Sequence, residues 1–292
     1  MTWHLDVADV GERPVAVVGA GTLGRRIAMM FASRGGRVRV YDPSPSVVAD
    51  AVDYARQHLP DVVAQRGFGA VGEVEASRSL SAVVEGAWLV VEAVPERLDT
   101  KIELFGELDR LAGSDAVLAT NSSSYASRLV GERVRDQTRV CNMHFYMPPV
   151  ANAVDLMSNG QTDRDLLDSL LRLLPAYGLF PFEARKESTG FIFNRVWAAI
   201  KRESIAVVAD GVARPEDVDA MFKINWGMSR GPFETMDRVG LDVVLDIERH
   251  YAEENPHLPQ NVRDLLRAYV DAGKLGVKTG EGWYRYDEAP DR

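Results

Sequence analysis

A glycine-rich turn near the N-terminus constrains the fold of this chain more than any other feature. The turn follows the apolar segment Pro14–Gly19, opens a stretch of helical composition at Arg25–Ser33, and reads Gly19-Ala20-Gly21-Thr22-Leu23-Gly24. In this context the first glycine permits a tight turn, the second lets the backbone approach a pyrophosphate, and the third allows close packing of helix on strand. The helix N-terminus favours the negative charge of the phosphates. The segment therefore predicts a dinucleotide site with contacts from Gly19, Gly21, Thr22, Leu23 and Gly24.

An acidic residue at the end of the next predicted strand indicates which dinucleotide binds. Asp42 follows the strand Arg37–Tyr41 and lies 18 residues after Gly24, close to the spacing of about 20 at which a carboxylate accepts hydrogen bonds from the adenosine ribose. Because a carboxylate repels the additional phosphate of NADP, NAD is the predicted cofactor. Two alternatives stay open: Arg39 would weaken this preference, or Asp42 is an ordinary turn residue before a proline.

Alternating strand-like and helix-like segments predict the fold class. Apolar strands are expected at Arg37–Tyr41, Trp88–Val94, Ala116–Thr120 and Arg139–His144, with helical segments such as Asp99–Leu111 between them. This alternation is typical of an α/β Rossmann-type fold with a doubly wound parallel sheet. After about Ala184 longer helical runs replace the strands, at Phe191–Ala209, Pro215–Lys223, Val239–Glu254 and Gln260–Ala272. We therefore expect an NAD-binding domain over residues 1–185 and an all-helical C-terminal domain over residues 186–292.

Charge and composition argue against several classes of function. The chain of 292 residues has a net charge of -9, which opposes association with nucleic acid or with anionic membranes. Cys141 is the single cysteine, so neither an intrachain disulfide nor a cysteine-based metal site can form, and no metal is predicted. Met1–Glu12 lacks the basic start and apolar stretch of a signal peptide, and no apolar run approaches the ~20 residues of a membrane span. These features favour a cytoplasmic protein.

One histidine lies where a catalytic base is expected. The sequence has five histidines, and His144 alone ends an apolar strand, the position at which open α/β sheets place ligands. A dehydrogenase needs a base for the hydroxyl proton, and the near-neutral pKa of histidine suits that role. Asp155 would pair with the ring if the chain turns back after Pro148 and Pro149. The residues alone explain His144 equally well as a buried, hydrogen-bonded histidine.

Several separate motifs resemble the L-3-hydroxyacyl-CoA dehydrogenase family, and together they extend from Val15 to Tyr286. Besides the glycine turn they comprise Val91-Glu92-Ala93-Val94-Pro95-Glu96, Lys101, Asn121-Ser122-Ser123-Ser124, His144-Phe145-Tyr146-Met147-Pro148, Ser188-Thr189-Gly190-Phe191-Ile192-Phe193-Asn194-Arg195, Arg230-Gly231-Pro232-Phe233-Glu234 and Lys278-Thr279-Gly280-Glu281-Gly282-Trp283-Tyr284. The resemblance implies the same two-domain plan, hydride transfer with NAD, and a homodimer formed through the helical domain.

The resemblance also implies roles for individual residues. His144 would be the general base, with Asp155 as its carboxylate partner, and Ser123 and Asn194 would hydrogen-bond the reacting oxygen or the base. The cofactor would be contacted by Ala93, Glu96, Lys101 and Asn121. Each role has an ordinary structural alternative: a helix cap for Asn121–Ser124, a surface amide for Asn194, and a solvated ion pair for Glu96 and Lys101.

The sequence departs from the family at three places that concern the substrate. Met147 replaces the family asparagine that follows the histidine, and Asp155 replaces the family glutamate with one residue fewer in between. The segment Val52–Ser79, expected near coenzyme A, is short and carries Arg56, Arg66 and Arg78 against four acidic residues. The leading hypothesis is oxidation of a 3-hydroxyacyl thioester, on coenzyme A or an acyl carrier protein. The alternatives are a free 3-hydroxy acid, as for carnitine and gulonate dehydrogenases, or a non-catalytic NAD-binding protein.

Overall fold

The computed structural model describes residues 3, 5 and 10–286. The chain divides into two compact units, Met1–Ile192 and Phe193–Arg292. The predicted lack of a signal peptide concerns Met1–Glu12, most of which lies outside the described residues.

A single sheet of eight strands organises the N-terminal unit. The strands are β1 (Val15–Val18), β2 (Arg37–Tyr41), β3 (Glu73–Ala76), β4 (Leu89–Glu92), β5 (Val117–Thr120), β6 (Val140–Met147), β7 (Ala151–Ser158) and β8 (Phe180–Ala184). Their spatial order is β3-β2-β1-β4-β5-β6-β7-β8, and the first six strands are parallel. This is the strand order of a doubly wound dinucleotide-binding fold, so the predicted fold class is confirmed. Strand β7 runs antiparallel to β6, and β8 runs parallel to β7.

Helices cover both faces of this sheet because its central strands are apolar on both sides. They are α1 (Thr22–Ala32), α2 (Pro45–Arg66), α3 (Leu80–Val84), α4 (Leu98–Leu111), α5 (Ser127–Val130) and α6 (Arg164–Leu173), with 3-10 turns at Gln137–Arg139 and Leu174–Tyr177. In β1, Val15 and Val17 pack into one hydrophobic core, while Ala16 and Val18 pack into the other. Every residue of β1, β4 and β5 is buried, as expected for parallel strands between two helical layers.

The C-terminal unit is helical, as predicted. It contains α7 (Phe193–Ala209), α8 (Pro215–Trp226), α9 (Pro232–Val239), α10 (Leu241–Glu254) and α11 (Gln260–Asp271), with a 3-10 turn at Val277–Thr279. Gly240, with φ 104°, separates α9 from α10, so the predicted helix over Val239–Glu254 begins two residues later. No helix in the described part of the chain is long and apolar enough to cross a membrane.

Two buried carboxylates connect the C-terminal motifs to one another. Asp219 accepts hydrogen bonds from the backbone amides of Phe233 and Glu234, at 2.8 and 2.9 Å, and so caps the start of α9. Asp237 accepts from the amides of Trp283 and Tyr284, at 2.9 and 3.0 Å. These bonds fix the C-terminal segment to α9 within the helical unit.

Candidate active site

The glycine turn forms a cradle that fits a pyrophosphate. Gly19 has φ 100°, and a Cβ built on it would lie 2.5 Å from the carbonyl of Ala93. A Cβ on Gly24 would lie 1.8 Å from the carbonyl oxygen of Gly19, whereas one on Gly21 meets no heavy atom within 4 Å. The first and third glycines are therefore required by packing, and the second leaves open room. Among the described residues no side chain caps α1 and none in its first turn is acidic, so the amides of Thr22 and Leu23 remain available to an anion.

Asp42 joins this cradle from the end of β2. Its Oδ2 accepts a hydrogen bond from the backbone amide of Ala20 at 3.1 Å, and its Oδ1 accepts one from the amide of Ser44 at 2.9 Å. The carboxylate is thereby held beside the glycine turn, where a ribose can donate to it. Arg39 is engaged elsewhere, since it donates to the carbonyls of Glu85 and Ala82 at 2.6 and 3.3 Å. This arrangement fits NAD, because Arg39 is not free to bind a ribose phosphate.

A buried ion pair ties the end of β4 to α4 and β5. Glu92 Oε1 accepts from Lys101 Nζ at 2.6 Å and from the amide of Val94 at 2.8 Å, while its Oε2 accepts from the hydroxyl of Thr120 at 2.6 Å. Lys101 is 1% exposed and Glu92 is fully buried. Lys101 Nζ also lies 3.1 Å from Glu96 Oε2. The buried ammonium group of Lys101 thus holds the loop after β4 in place. Of the three residues Glu92, Lys101 and Glu96, only Glu96 reaches the surface.

Glu96 organises the loop that follows β5. Its Oε1 accepts from the hydroxyl of Ser122 and from the amides of Ser123 and Ser124, the amides at 3.2 and 3.1 Å. Burial raises the pKa of Glu96, but Lys101 and the hydrogen bonds from Ser122 and Ser124 outweigh it and keep that pKa below its usual range. An ionised Glu96 therefore stands at the carboxyl ends of β4 and β5. Ser123 is exposed.

Asn121 fixes the orientation of His144. The backbone carbonyl of Asn121 lies 3.2 Å from His144 Nδ1, and its side-chain Oδ1 accepts from the amide of Phe145 at 2.8 Å. A neutral ring that donates from Nδ1 to this carbonyl carries its acceptor lone pair on Nε2. Burial lowers the pKa of His144 below its ordinary value, although the Asn121 carbonyl and the carboxylates of Asp155 and Glu96 act in the opposite direction. His144 is consequently neutral at physiological pH.

Asp155 lies directly opposite His144 on the neighbouring strand. The hairpin of β6 and β7 pairs His144 with Asp155, so both side chains project from the same face of the sheet. The Tyr146 hydroxyl donates to Asp155 Oδ2. Burial raises the pKa of Asp155, and the hydrogen bonds from Tyr146 and the Ile192 amide, together with His144, only partly oppose this shift.

Two aromatic rings enclose the imidazole. Phe191 stacks on His144 with ring centroids 5.2 Å apart and planes 9° apart, and Tyr146 approaches edge-on at 4.9 Å. Phe191 has φ 53°, a conformation rare for a bulky residue and typical of functional sites. The rings exclude water from one side of His144 and leave Asp155 as its charged neighbour across the strand pair.

The structure brings together most of the residues that the sequence singled out. The cradle, Asp42, Ala93, Glu96 and Asn121 lie at or just beyond the carboxyl ends of β1, β2, β4 and β5. His144 lies within β6, two residues past the last pair of β5 with β6, so the strand predicted to end at His144 continues to Met147, and Asp155 lies opposite His144 on β7. Asn194 is the second residue of α7 and belongs to the C-terminal unit. No group of three metal-binding side chains occurs among residues 3, 5 and 10–286.

Four residues of the site belong to the motifs named above, but the sequence analysis gave them no role of their own: Glu92, Ser122, Tyr146 and Phe191. The role of Glu92 could have been predicted, because an acidic residue at the end of an apolar strand needs a partner when it is buried. Lys101 follows it nine residues later. For Ser122 the run of three serines offered no basis for choosing one. The contacts of Tyr146 and Phe191 depend on the hairpin register and on a loop conformation, which no local pattern indicates.

Comparison with known proteins gives matches to one enzyme family over both units of the chain. A sequence model of the 3-hydroxyacyl-CoA dehydrogenase NAD-binding domain matches residues 14–187, and one of the C-terminal domain of 3-hydroxyacyl-CoA dehydrogenase matches residues 190–286. The human mitochondrial hydroxyacyl-coenzyme A dehydrogenase is 32% identical over 289 residues, which cover 93% of this chain and 90% of the human protein. The crystal structure of (S)-3-hydroxybutyryl-CoA dehydrogenase from Ralstonia eutropha superposes with a TM-score of 0.86 at 29% identity, covering 95% of this chain and all of that one.

A relative whose name gives a different substrate also matches nearly the whole chain. The 5-formyl-3-hydroxy-2-methylpyridine 4-carboxylate 5-dehydrogenase of Mesorhizobium japonicum is 28% identical over 283 residues, covering 94% of this chain and 91% of that protein. Homodimerisation and a cytoplasmic location stay predictions, the latter because the human relative is mitochondrial by name. The matches over both units, together with the glycine cradle and Asp42, establish that the chain belongs to the 3-hydroxyacyl-CoA dehydrogenase family and is an NAD-binding oxidoreductase.

Proposed function

We propose that this protein interconverts a 3-hydroxyacyl thioester and its 3-oxoacyl counterpart, with NAD as the hydride carrier. The observation that carries the proposal is the arrangement of His144, which is held by Asn121, faces Asp155 across the strand pair and lies at the same sheet edge as the glycine cradle. A neutral histidine beside a carboxylate is suited to accept a hydroxyl proton.

The residues of this chain account for the transfer of the hydroxyl proton. His144 Nε2 accepts the proton of the 3-hydroxyl group, and the carboxylates of Asp155 and Glu96 stabilise the imidazolium that forms. Asn121 keeps Nδ1 engaged, so the ring cannot turn away while it is charged. NAD, when bound, accepts the hydride that leaves C3. Loss of one hydride and one proton converts the alcohol to the ketone.

Tyr146 compensates for the short carboxylate arm of Asp155. An aspartate side chain is one methylene shorter than a glutamate, and the Tyr146 hydroxyl binds the oxygen Oδ2 on the same face of the hairpin as His144. The tyrosine ring also contacts the imidazole at 4.9 Å. We infer that Tyr146 is a positioning residue, which keeps Asp155 at a fixed place relative to His144.

This role predicts a rescue experiment. Tyr146→Phe should lower kcat/KM by roughly 10- to 150-fold, since a hydrogen bond to a charged group contributes about 1.5–3 kcal/mol. In the Tyr146→Phe background Asp155→Glu should restore most of the rate, because the longer arm approaches the imidazole without the hydroxyl. NADH formation reports the rate, and calorimetry should show unchanged NAD affinity.

Tyr177→Phe is the matched control, because its hydroxyl is bonded to Arg34 at the opposite side of the core, at 3.2 Å. An unchanged rate in Tyr146→Phe, or no recovery with glutamate at position 155, would show that Tyr146 only fills space.

A second candidate substrate is a free hydroxy acid. The Mesorhizobium relative acts, by its name, on a pyridine carboxylate rather than on a thioester. In addition, Arg56 is paired with Asp53 at 2.6 Å, so it does not offer an uncompensated charge to coenzyme A. The exposed Met147 offers no amide to a substrate carbonyl.

The substrate is tested by comparing NADH formation with 3-hydroxybutyryl-CoA, its acyl-carrier-protein thioester and free 3-hydroxybutyrate. Turnover of either thioester at least 100-fold above that of the free acid would support the proposal. Turnover of the free acid alone would establish the second candidate. NAD binding without turnover on any of the three would favour a non-catalytic role.

A further inference from the structure

Two arginines on α1 carry positive charge that no carboxylate of residues 10–286 neutralises. The guanidinium carbons of Arg25 and Arg26 lie 4.5 and 5.3 Å from the ring centroid of Tyr54 on α2. In the described part of the chain neither arginine forms an ion pair, and the Nε atom of each is buried without a hydrogen-bond partner. A buried N–H without an acceptor is costly. Two like charges around one ring add repulsion, so this cluster is suited to take up an anion.

The cluster lies beside the candidate active site. Arg26 Nη1 donates to the carbonyl of Pro148 at 3.0 Å, in the hairpin turn four residues after His144. A chain of that length spans at most about 14 Å. Arg25 and Arg26 follow Gly21, the N-cap of α1 and part of the glycine cradle, by about one helical turn. An anion bound here would therefore lie close both to the cradle and to the hairpin turn that follows His144.

Three other arginines of the N-terminal unit already have partners. Arg66 turns inward, where it donates to the hydroxyl of Ser33 and, at 3.1 Å, to the carbonyl of Ala176. Arg56 pairs with Asp53, and Arg39 binds backbone carbonyls of the segment around α3. Helix α1 therefore supplies positive charge that Arg56 and Arg66 do not.

We propose that Arg25 and Arg26, with Tyr54 between them, form a subsite for the anionic oxygens at the distal end of the substrate. The inference rests on the proposed function and adds the residues that select the substrate. The phosphates of a phosphopantetheine carrier and the carboxylate of a free acid share the required chemistry. The separation from His144 favours the phosphates, because the carboxylate of a 3-hydroxy acid lies only two carbons from the reacting carbon.

The test compares substrates that differ in one anionic group. Arg25→Gln and Arg26→Gln are assayed with 3-hydroxybutyryl-CoA, with the phosphate-free N-acetylcysteamine thioester of the same acid, and with free 3-hydroxybutyrate. We expect KM for the coenzyme A thioester to rise about 10-fold with nearly unchanged kcat, and KM for the phosphate-free thioester to stay constant. Arg56→Gln is the matched control, since that arginine is exposed and already paired.

Other results have defined meanings. A rise in KM confined to the free acid would support the subsite with a carboxylate as its ligand. Equal KM values in variant and wild type for all three substrates would overturn it. A loss of NAD affinity alone would also overturn it, because the arginines would then serve the cofactor.

Measuring ligand binding in the absence of turnover tests the subsite independently of the proposed function. Calorimetry with coenzyme A and with 3-hydroxybutyrate on the NAD-loaded protein should show about 10-fold weaker binding of one of them in Arg26→Gln. The loss should be smaller in Arg26→Lys, which keeps the charge but not the planar group over Tyr54. If the wild type binds coenzyme A through these arginines but turns over no thioester, the subsite stands and the proposed function falls. If the wild type binds neither compound, the subsite is refuted.

Discussion

Replacing His144 by asparagine is expected to lower kcat about 10²–10⁴-fold, the usual contribution of a positioned base. Asparagine retains a polar side chain in the pocket between Phe191 and Tyr146 but accepts no proton near neutral pH. NAD affinity should stay near the wild-type value, because the cradle at Gly19–Gly24 and Asp42 belongs to other strands. Stopped-flow measurement of NADH formation, with calorimetry for the cofactor, tests both parts.

His250→Asn is the control for this substitution, because His250 is exposed on α10 of the helical unit. A His144→Asn variant that retains kcat within about threefold would exclude His144 as the base. A parallel loss of NAD affinity would mean that the substitution had disturbed the loops at Asn121 and Phe145 rather than the proton transfer.

The pH dependence of the rate follows from the burial of His144. Oxidation requires the neutral ring, and burial lowers the pKa of His144 below its ordinary value. Therefore kcat/KM for oxidation should be constant around neutral pH and should fall as pH drops through this lowered pKa. Reduction requires the protonated ring and should show the opposite trend. An inflection above the ordinary histidine pKa, or one that persists in His144→Asn, would contradict the assignment.

The sequence predicted those parts of the site that lie within one continuous segment. The turn Gly19–Gly24 and the carboxylate of Asp42 follow from a strand, a turn and a helix in succession, which the fold reproduces. His144 was indicated by its place at the end of a predicted strand, although β6 continues for three more residues, to Met147. Its pairing with Asp155 depended on one condition, that the chain turns back after the prolines, and the hairpin register meets it.

Features that depend on contacts between separate segments could not be predicted from local sequence patterns. Strand β3 has the polar sequence Glu-Val-Glu-Ala and is only partly buried, and β8 is an edge strand that contains Pro181, so neither has the composition of a central strand. The cluster of Arg25, Arg26 and Tyr54 arises where α1 packs on α2. Side chains 28 residues apart in sequence meet there, and an amphipathic helix pattern does not reveal which polar residues will face each other.

Replacing Lys101 by methionine is expected to destabilise the N-terminal unit by about 3–5 kcal/mol, the usual cost of removing one partner from a buried ion pair. The substitution keeps an unbranched side chain that is one atom shorter, but it leaves the Glu92 carboxylate fully buried, with only the Thr120 hydroxyl and the Val94 amide as donors. Glu96 would lose the ammonium group at 3.1 Å, so the serine loop should loosen and NAD affinity should fall. Urea unfolding and calorimetry measure the two effects.

Two comparisons determine whether the buried charge causes this loss. The double variant Glu92→Gln with Lys101→Met removes both charges and should recover a substantial part of the stability, because no unpaired carboxylate remains. Lys278→Met breaks a pair with Asp242 whose members are 45% and 38% exposed, and it should cost less than about 1 kcal/mol. If Lys101→Met behaves like Lys278→Met, the Glu92–Lys101 pair does not stabilise the loop after β4, and the position of Glu96 must depend on the serine loop alone.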